Sequence, residues 1–328
     1  MENTNSYISG IGSYLPSQIL TNKDLEKMVD TTDEWIVTRT GIKKRHISTK
    51  EEATSDLATK ASLLAIEDAK ISSEEIEMII VATSTPDMML PSTATRVQKN
   101  IGAKNASAFD ISAACSGFIY GLSVAHQFII NGTMKNVLVV GAETLSKYVD
   151  WSDRNTSVLF GDGAGAAVVS RNNIGSKIIG FHLGANGNPP REWLMLAGSG
   201  SVNKAENILE EKKNFITMNG KEIFKFSVNI LPSIITTVIK KYGLTIEDID
   251  LVIPHQANRR IIEAAAERLN MPIQKLYINI DRRANTSAAS IPIAMVDARR
   301  ENMLNKEDII VLAGFGAGLT WGSMLIQY

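Results

Sequence analysis

The chain has 328 residues, of which 44% are hydrophobic and 21% are charged, and its formal net charge is −1. This balance is typical of a soluble globular protein, and the length suits two domains or one duplicated unit. The near-neutral charge argues against a bulk attraction to nucleic acid or to an anionic membrane.

The residue counts also exclude several kinds of site. The sequence has a single cysteine, Cys115, so it can form neither an internal disulfide nor a cysteine-rich zinc site. Its four histidines are scattered without metal-ligand spacing, and we expect no bound metal. No apolar run reaches the roughly 20 residues that span a bilayer, and the N-terminus lacks a signal-peptide pattern. We therefore expect a cytoplasmic protein.

The first half of the chain predicts alternating helices and strands. A helical pattern through Leu57 and Ala65 is followed by an acidic stretch and then by a buried strand at 78–81. The pattern continues with a helix at 97–101, a strand at 108–111, an apolar helix after Cys115, and strands at 137–140 and 167–169.

The second half repeats this order. It predicts a helix after Val228, a strand at 251–253, a helix at 261–269, a strand at 276–279, an apolar helix after Asn285, and strands at 309–312 and 324–326. Glycine-rich turns at 161–166 and 314–318 precede the last strand of each half. The segment 184–219 fits neither half, and we expect it to form a flap over one face.

An internal repeat of this length predicts the architecture. Nearly continuous apolar strands indicate buried sheets covered by helices, so we expect a layered α/β/α/β/α body with two pseudo-repeated halves. We place the halves at 1–174 and 175–328. Functional groups should lie where equivalent strand ends of the two halves meet, which brings Cys115 of the first half towards His255 and Asn285 of the second.

Cys115 follows a predicted strand and a run of small residues, and an apolar helix begins near Ser116. The positive end of a helix dipole lowers the pKa of a thiol, so this setting favours a nucleophile. A lone cysteine is more often a small buried hydrophobic residue. The strand–turn–helix setting favours the nucleophile over that alternative.

His255 and Asn285 also follow predicted strands. A lone histidine is more often structural than catalytic, but His255 lies at a strand end, where it can donate to an oxyanion or exchange a proton. Asn285 has the competing interpretation of a helix N-cap. Because Asn285 occupies the position in the repeat that corresponds to the Cys115 turn, we expect its amide to be a second fixed donor beside His255.

The two glycine-rich segments, 161–166 and 314–318, do not match the motifs of nucleotide-binding proteins. A dinucleotide fingerprint needs a helix after its glycines, whereas 167–169 predicts a strand, and the string at 314–318 lacks the lysine of a phosphate loop. Its glycines instead let backbone N–H groups approach a ligand oxygen closely.

Four sequence elements together resemble one family. They are Cys115, PHQAN at 254–258, NTSAAS at 285–290 and GFGAGLTWGS at 314–323. With the early string TTDEWIVTRTGIKKRHI, they are similar to the β-ketoacyl-acyl carrier protein synthase III family of the thiolase superfamily over nearly the whole chain. Thiolases need a second catalytic cysteine, and elongating condensing enzymes pair two histidines with theirs. Plant-type polyketide synthases share Cys, His and Asn but have longer chains.

The resemblance implies a thiolase-like fold and a two-stage reaction of initiating fatty acid synthesis. Cys115 takes an acyl group from acyl-coenzyme A, while the backbone N–H groups of Cys115 and Ala317 hold the oxyanion. His255 and Asn285 then stabilise the enolate that malonyl-acyl carrier protein forms on losing carbon dioxide. Acyl-coenzyme A is a substrate, and no resident cofactor is implied.

The resemblance also assigns binding residues and a homodimer. Trp35, Arg39, Arg154 and Asn258 would bind coenzyme A, although the tryptophan also suits a surface anchor and the arginines ion pairs. Arg260, Arg259 and Lys225 would dock the acidic carrier protein, against the simpler interpretation of a solvated face. Leu90 would reach the acyl pocket of the partner subunit.

Two alternatives remain from the sequence. The same fold serves acyltransferases and condensing enzymes of specialised, polyketide-type pathways. A cysteine thioesterase is a further alternative, which the pair of donors and the lack of an acidic partner near His255 disfavour.

Overall fold

The computed structural model describes residues 5–190, 193–196 and 214–328. The strands are β1 (Tyr7–Tyr14), β2 (Gln18–Thr21), β3 (Lys44–Ile47), β4 (Met78–Ala82), β5 (Ser107–Ile111), β6 (Asn136–Glu143), β7 (Gly163–Ser170), β8 (Ser176–Ala185), β9 (Leu194–Met195), β10 (Thr217–Met218), β11 (Leu251–Pro254), β12 (Ile309–Gly316) and β13 (Thr320–Gln327).

The helices lie between these strands. They are α1 (Asn22–Leu25), α2 (Asp33–Thr40), α3 (Thr54–Ala69), α4 (Thr93–Ile101), α5 (Gly117–Ile130), α6 (Arg154–Ser157), α7 (Gly220–Lys241), α8 (Arg259–Arg268), α9 (Ile280–Arg283) and α10 (Ser290–Arg300). Two short 3₁₀ turns, Ala114–Ser116 and Ser287–Ala289, precede α5 and α10.

The main sheet consists of two similar halves. Its strand order is β5-β4-β6-β7-β1 followed by β8-β13-β12-β11. Only two residue pairs, Tyr7 with Lys177 and Ile8 with Ser176, join β1 to β8. Strands β4, β6, β7 and β1 therefore correspond to β11, β12, β13 and β8, as the repeat predicts.

Helices separate and cover these two halves of the sheet. Helix α5 contacts β4 and β6 on one side and β12 and β13 on the other, and α10 contacts β1, β7, β11 and β12. Helices α3 and α4 lie outside the first half, and α7 and α8 lie outside the second. The predicted α/β/α/β/α layering is confirmed.

Small residues allow this tight layering. A Cβ atom at Gly10 would lie 2.3 Å from the Ala65 carbonyl oxygen of α3, and one at Gly165 would lie 2.6 Å from the Pro292 side chain of α10. Interiors are packed as densely as organic crystals, so glycine at these positions brings the helices of both adjacent layers against the sheet.

Two local predictions need correction, and the boundary between the halves does not. The strand expected at 276–279 is reduced to one bridge, between Val252 and Leu276, because the next residues turn into α9. The glycine-rich segments are mostly strand: β7 begins at Gly163 and β12 extends to Gly316, so only the ends of those strings turn. The boundary drawn between 174 and 175 lies in the loop from β7 to β8.

Helix α7 is 22 residues long and, on length and composition alone, apolar enough to cross a membrane. Its apolar side packs against α8 and against strands β8, β12 and β13. This packing is that of a core helix in a globular protein, which passes the same compositional test.

Candidate active site

Two equivalent turns face each other across the middle of the molecule. Each follows a strand or its remnant, begins with a residue of left-handed backbone, and leads into a central helix. The left-handed residues are Ala114, with φ of 46°, and Ser287, with φ of 47°. In this alignment Cys115 corresponds to Ala288, and Asn285 precedes the second turn, so the predicted correspondence is near but not residue for residue.

Cys115 is only 7% exposed, and strand β12 lies directly against it. A Cβ atom at Gly316 would lie 2.6 Å from the Cys115 nitrogen. Burial raises the pKa of the Cys115 thiol to about 12, and the charge of Glu143 adds to this rise, against a hydrogen bond from Ser287 that lowers it. Desolvation thus acts against the lowering of the pKa that was expected from the position at the start of a helix.

His255 is held as a neutral ring. It is 2% exposed, and burial lowers its pKa to about 3. Its Nδ1 atom lies 2.7 Å from the Ser290 hydroxyl, whose oxygen also accepts the Gln256 N–H at 3.4 Å. Among the contacts described for the Ser290 hydroxyl, Nδ1 is the one acceptor for its hydrogen, so we assign that hydrogen to Nδ1, which leaves the His255 proton on Nε2 as a donor.

Asn285 is oriented by its own turn. Its Oδ1 atom accepts the Ser287 N–H at 2.9 Å, and its backbone bonds to Leu159 and Gly161. Because the amide oxygen is occupied, the amide nitrogen is the part of the side chain that remains to donate to a ligand. The side chain is thus an oriented donor. Asn285 is not the N-cap residue of the turn that follows, which is Thr286.

Cys115, His255 and Asn285 line one narrow cavity of about 90 Å³. The cavity opens into a cleft of about 880 Å³, with which it shares Leu159, Met218 and Phe224 among its lining residues. On the other side of Cys115 lies a pocket of about 380 Å³. The narrow cavity thus lies between the cleft and this pocket, because it shares lining residues with each of them.

The cleft brings together the four residues predicted to bind coenzyme A. The Arg154 and Arg39 guanidinium groups lie 4.8 and 6.0 Å from the Trp35 ring centre. Asn258 donates to the Arg39 carbonyl oxygen at 3.0 Å, and its own Oδ1 caps helix α8. All four side chains line the cleft.

The predicted docking residues are divided between the rim and the surface. Arg260 lines the cleft, with its guanidinium 5.1 Å from the Phe224 ring centre. Arg259 pairs with Glu263 at 2.7 Å, and Lys225 is exposed on α7. Leu90 is 85% exposed and lines none of the three spaces within this chain.

The pocket beyond Cys115 contains Ala317, Ser287 and apolar side chains that the sequence did not single out. Those apolar residues are Leu145, Phe160, Leu194, Leu196 and Ile216. Sequence analysis also missed Glu143, a fully buried carboxyl beside the thiol. A signal was present, because Glu143 ends the otherwise apolar run VLVVGAE, where a charged residue is rarely buried without a purpose.

No group of three or more His, Cys, Asp or Glu side chains that could hold a metal ion is found in the described part of the chain. The site therefore consists of a buried thiol, a neutral imidazole and an amide along a path open to solvent. With two pseudo-repeated α/β halves, these features define a condensing enzyme of the thiolase fold.

Comparison with known proteins gives the family. Residues 109–187 and 239–328 match the two halves of 3-oxoacyl-[acyl-carrier-protein (ACP)] synthase III. The chain is 57% identical to the β-ketoacyl-[acyl-carrier-protein] synthase III of Caldanaerobacter subterraneus, over 98% of this chain and 97% of the relative. The chain therefore belongs to the β-ketoacyl-[acyl-carrier-protein] synthase III family, acyltransferases that carry out the initiating condensation of type II fatty acid synthesis.

Solved structures agree. The crystal structure of 3-oxoacyl-[acyl-carrier-protein] synthase III from Aquifex aeolicus has a TM-score of 0.91 and 49% identity, covering 98% of this chain and 100% of its own. The priming β-ketosynthase of the R1128 polyketide pathway has a TM-score of 0.92 but only 33% identity, covering 99% and 97%. The sequence is thus nearer to the fatty acid enzymes than to this polyketide relative.

Proposed function

We propose that Cys115, His255 and Asn285 divide the two half-reactions between them. Cys115 takes the acyl group from acyl-coenzyme A, and His255 with Asn285 stabilises the enolate formed from malonyl-acyl carrier protein. The observation that supports this most strongly is the narrow cavity, because it presents a thiol and two neutral donors to the same small space.

In the acylation step, the Cys115 sulfur attacks the thioester carbon and coenzyme A leaves as its thiol. The backbone N–H groups of Cys115 and Ala317 hold the oxyanion of the tetrahedral intermediate. Preorganised donors of this kind act strongly because they face a space with little water. The acyl chain then extends into the pocket that contains Ala317 and Leu145.

In the condensation step, the malonyl thioester carbonyl accepts hydrogen bonds from His255 Nε2 and Asn285 Nδ2. Loss of carbon dioxide moves an electron pair onto that oxygen. The enolate carbon then attacks the acyl carbon, whose bond to the Cys115 sulfur breaks, and Cys115 is released to take up a proton. The product is β-ketoacyl-acyl carrier protein. A neutral imidazole suits this role, because its N–H group remains a hydrogen-bond donor throughout the physiological pH range.

Coenzyme A would occupy the open cleft as a substrate, with no resident cofactor. The adenine ring would stack on Trp35, and Arg39 and Arg154 would bind the phosphates of coenzyme A in place of their contacts with the Trp35 ring. Asn258, at the junction of the cleft and the narrow cavity, would contact the pantetheine arm. These roles extend the family assignment to this chain residue by residue.

The carrier protein would dock on Arg260, Arg259 and Lys225 beside the same opening. Carrier proteins are acidic, so a basic rim complements them even though the whole chain is near neutral. Arg260 is the strongest candidate because it lines the cleft, whereas Arg259 is engaged by Glu263.

We further propose a cytoplasmic homodimer joined at the first half. Strand β5 is at the edge of the sheet, and Met88, Met89 and Leu90 are exposed in a nearby loop. Unpaired edges and clustered exposed apolar residues are typical of surfaces that a partner covers. In such a dimer Leu90 would reach the acyl pocket of the second copy and limit its depth.

A two-stage mass measurement tests the proposal. The protein is first mixed with single acyl-coenzyme A donors of two to five carbons, straight and branched, and its intact mass is read. Malonyl-acyl carrier protein is then added, and carbon dioxide and β-ketoacyl product are measured. Acyl adducts that yield both products support the proposal. Adducts discharged to water, or to an alcohol or amine without carbon dioxide, would point to a thioesterase or an ester-forming acyltransferase.

A further inference from the structure

Arg45, on strand β3, is a buried cation whose hydrogen-bond partners in the described part of the chain are both uncharged. It is the largest of the completely buried side chains there. Burial lowers the pKa of its guanidinium to about 10, against the opposing charge of Asp33, so the group still carries its charge at neutral pH. Because an apolar side chain of similar size would avoid the cost of burying a charge, this arginine needs an explanation beyond packing.

The guanidinium group of Arg45 joins two parts of the chain. Its Nη1 atom donates to Asn22 Oδ1 at 2.6 Å, and its Nη2 atom donates to the Val158 carbonyl oxygen at 2.6 Å. Asn22 is the first residue of α1, and Val158 directly follows α6. A guanidinium donates from a planar fork in fixed directions, so it holds both partners at a set separation, which the flexible ammonium group of a lysine does not.

The bond to Asn22 continues to helix α2. Asn22 Nδ2 donates to Asp33 Oδ1 at 2.8 Å and to the Ile42 carbonyl oxygen at 2.8 Å. Asp33 is the first residue of α2, and Ile42 lies two residues beyond its end, so these bonds fix both ends of the helix. Helix α2 carries Trp35 and Arg39, which line the cleft. Arg45 thus supports one wall of the cleft through Asn22.

The bond to Val158 continues to the Asn285 donor. Val158 is the C-cap residue of α6, and the last carbonyl groups of a helix have no partner within it. In the residues that follow, the Leu159 carbonyl oxygen accepts the Asn285 N–H at 3.0 Å, and the Gly161 N–H donates to the Asn285 carbonyl oxygen at 3.0 Å. The segment 158–161 is therefore bonded to Arg45 at its start and to Asn285 along its length.

We propose that Arg45 is a positioning residue for both half-reactions. Through Asn22 it fixes α2, and through Val158 it fixes α6, which carries Arg154 on the opposite wall of the cleft. Through the segment 158–161 it also sets the position of the Asn285 amide. The inference rests on the proposed function, because it takes coenzyme A to occupy this cleft and Asn285 to donate to the enolate.

The turn that carries Cys115 is anchored independently of Arg45. The Ser116 hydroxyl donates to Thr320 Oγ1 at 2.9 Å, and the Thr320 hydroxyl donates to the Ala113 carbonyl oxygen at 2.9 Å. Arg45 lines neither the cleft nor the narrow cavity. Loss of Arg45 should therefore change coenzyme A binding and enolate stabilisation but leave the attack by the sulfur unchanged.

Arg45→Met tests this division, because methionine fills much of the same space without a charge or a donor. Single-turnover labelling with acetyl-coenzyme A at increasing concentrations gives an apparent dissociation constant and a plateau rate. We expect the dissociation constant to rise about tenfold and the plateau rate to stay unchanged. Carbon dioxide release by fully acetylated protein with saturating malonyl-acyl carrier protein should fall by roughly 10- to 100-fold, since a small misplacement of a catalytic group has effects of this size.

Asn22→Asp separates the two bonds of the guanidinium. A carboxylate at this position still accepts from Arg45, and it neutralises the buried charge, but it cannot donate to Asp33 or to Ile42. The dissociation constant for acetyl-coenzyme A should rise about as much as in Arg45→Met. Carbon dioxide release should be retained, because the bond from Arg45 to Val158 remains. Natural affinity for acetyl-coenzyme A in Asn22→Asp would overturn the role of the first bond, even if Arg45→Met failed to fold.

Arg299→Met is the matched control. It removes another arginine that joins separate elements, through Asp68 of α3 and the Ile11 carbonyl oxygen of β1, and Arg299 lines neither the cleft nor the narrow cavity. Its affinity for acetyl-coenzyme A, plateau rate and carbon dioxide release should equal those of the natural protein.

The melting temperature and the three kinetic quantities together distinguish the outcomes. A merely structural role for Arg45 would lower the melting temperature of Arg45→Met and reduce the plateau rate in proportion to the other two quantities. Natural affinity and natural carbon dioxide release in folded Arg45→Met would overturn the positioning role. If the natural protein itself took no acetyl group, or released no carbon dioxide from malonyl-acyl carrier protein, the proposed function would fail instead.

Discussion

The turn at Ala114–Ser116 and the turn at Ser287–Ala289 have similar backbone conformations, but the residues at the two turns have different proposed roles. Both begin with a left-handed residue and lead into a central helix, yet one presents the thiol and the other follows the Asn285 donor. In the second turn the position of the thiol is taken by Ala288, which is buried beside Gly141 and Gly117. The duplicated scaffold thus brings the proposed nucleophile and its proposed donors to one cavity.

The largest effect should come from removing the nucleophile from the first turn. Cys115→Ala should abolish covalent acylation while leaving the fold intact, since the change is small and leaves the left-handed turn in place. Intact mass after mixing with acetyl-coenzyme A measures this. The double variant Cys115→Ala with Ala288→Cys is the control that moves the thiol to the equivalent turn. It should stay unlabelled, because Ala288 does not line the path to the cleft.

The donors of the second half should affect the other half-reaction. His255→Ala and Asn285→Ala should each lower malonyl-carrier decarboxylation by about 10²- to 10³-fold, as expected for the loss of one oxyanion donor. Acylation of Cys115 should fall much less, because its backbone donors remain. Carbon dioxide release and single-turnover labelling are compared for each variant. Loss of labelling with unchanged decarboxylation would contradict this division of duties.

His255 should also determine part of the acid sensitivity of the fold. Its pKa is lowered from 6.5 to about 3 in the folded protein, so the unfolded chain binds more protons between those values. Its contribution therefore favours folding above pH 6.5 and is lost as the pH falls towards 3. His255→Gln should flatten the dependence of the unfolding free energy on pH in this window. Urea titrations at several pH values measure this dependence. If the histidine were solvated, the unfolding free energy of the variant would change with pH as steeply as that of the natural protein.

The repeat was readable because it depends on local patterns. Alternation of apolar strands and helices follows from hydrophobic periodicity, and so it located Cys115, His255 and Asn285 near equivalent strand ends. The prediction of a strand at 276–279 is wrong, because a buried apolar run does not reveal whether a neighbouring strand has room to pair with it. Its residues instead make one bridge and turn.

The electrostatics of the candidate site could not be predicted from the sequence in the same way. The pKa of Cys115 depends on how closely β12 covers it, and the charge of Glu143, which adds to the rise in that pKa, comes from another strand. Neither fact is encoded by spacing. The string NTSAAS did single out the second turn, but a serine in such a string is equally expected as part of a helix start. Only the folded arrangement shows that this turn lies against the turn that carries Cys115.

The smallest effect concerns the rim of the cleft, where both substrates must enter. Arg260→Glu should raise the Michaelis constant for malonyl-acyl carrier protein several-fold and weaken its dependence on salt, because exposed charges are screened over about 8 Å at physiological ionic strength. Arg154→Glu is the matched control, since it reverses the same charge at another exposed position of the same cleft. It should chiefly impair acyl-coenzyme A, because Arg154 lies against Trp35. Steady-state kinetics with each substrate varied in turn, at two salt concentrations, separates the cases. Equal losses towards both substrates in both variants would show that the cleft has a single undivided binding surface, and the carrier protein would then have to dock elsewhere.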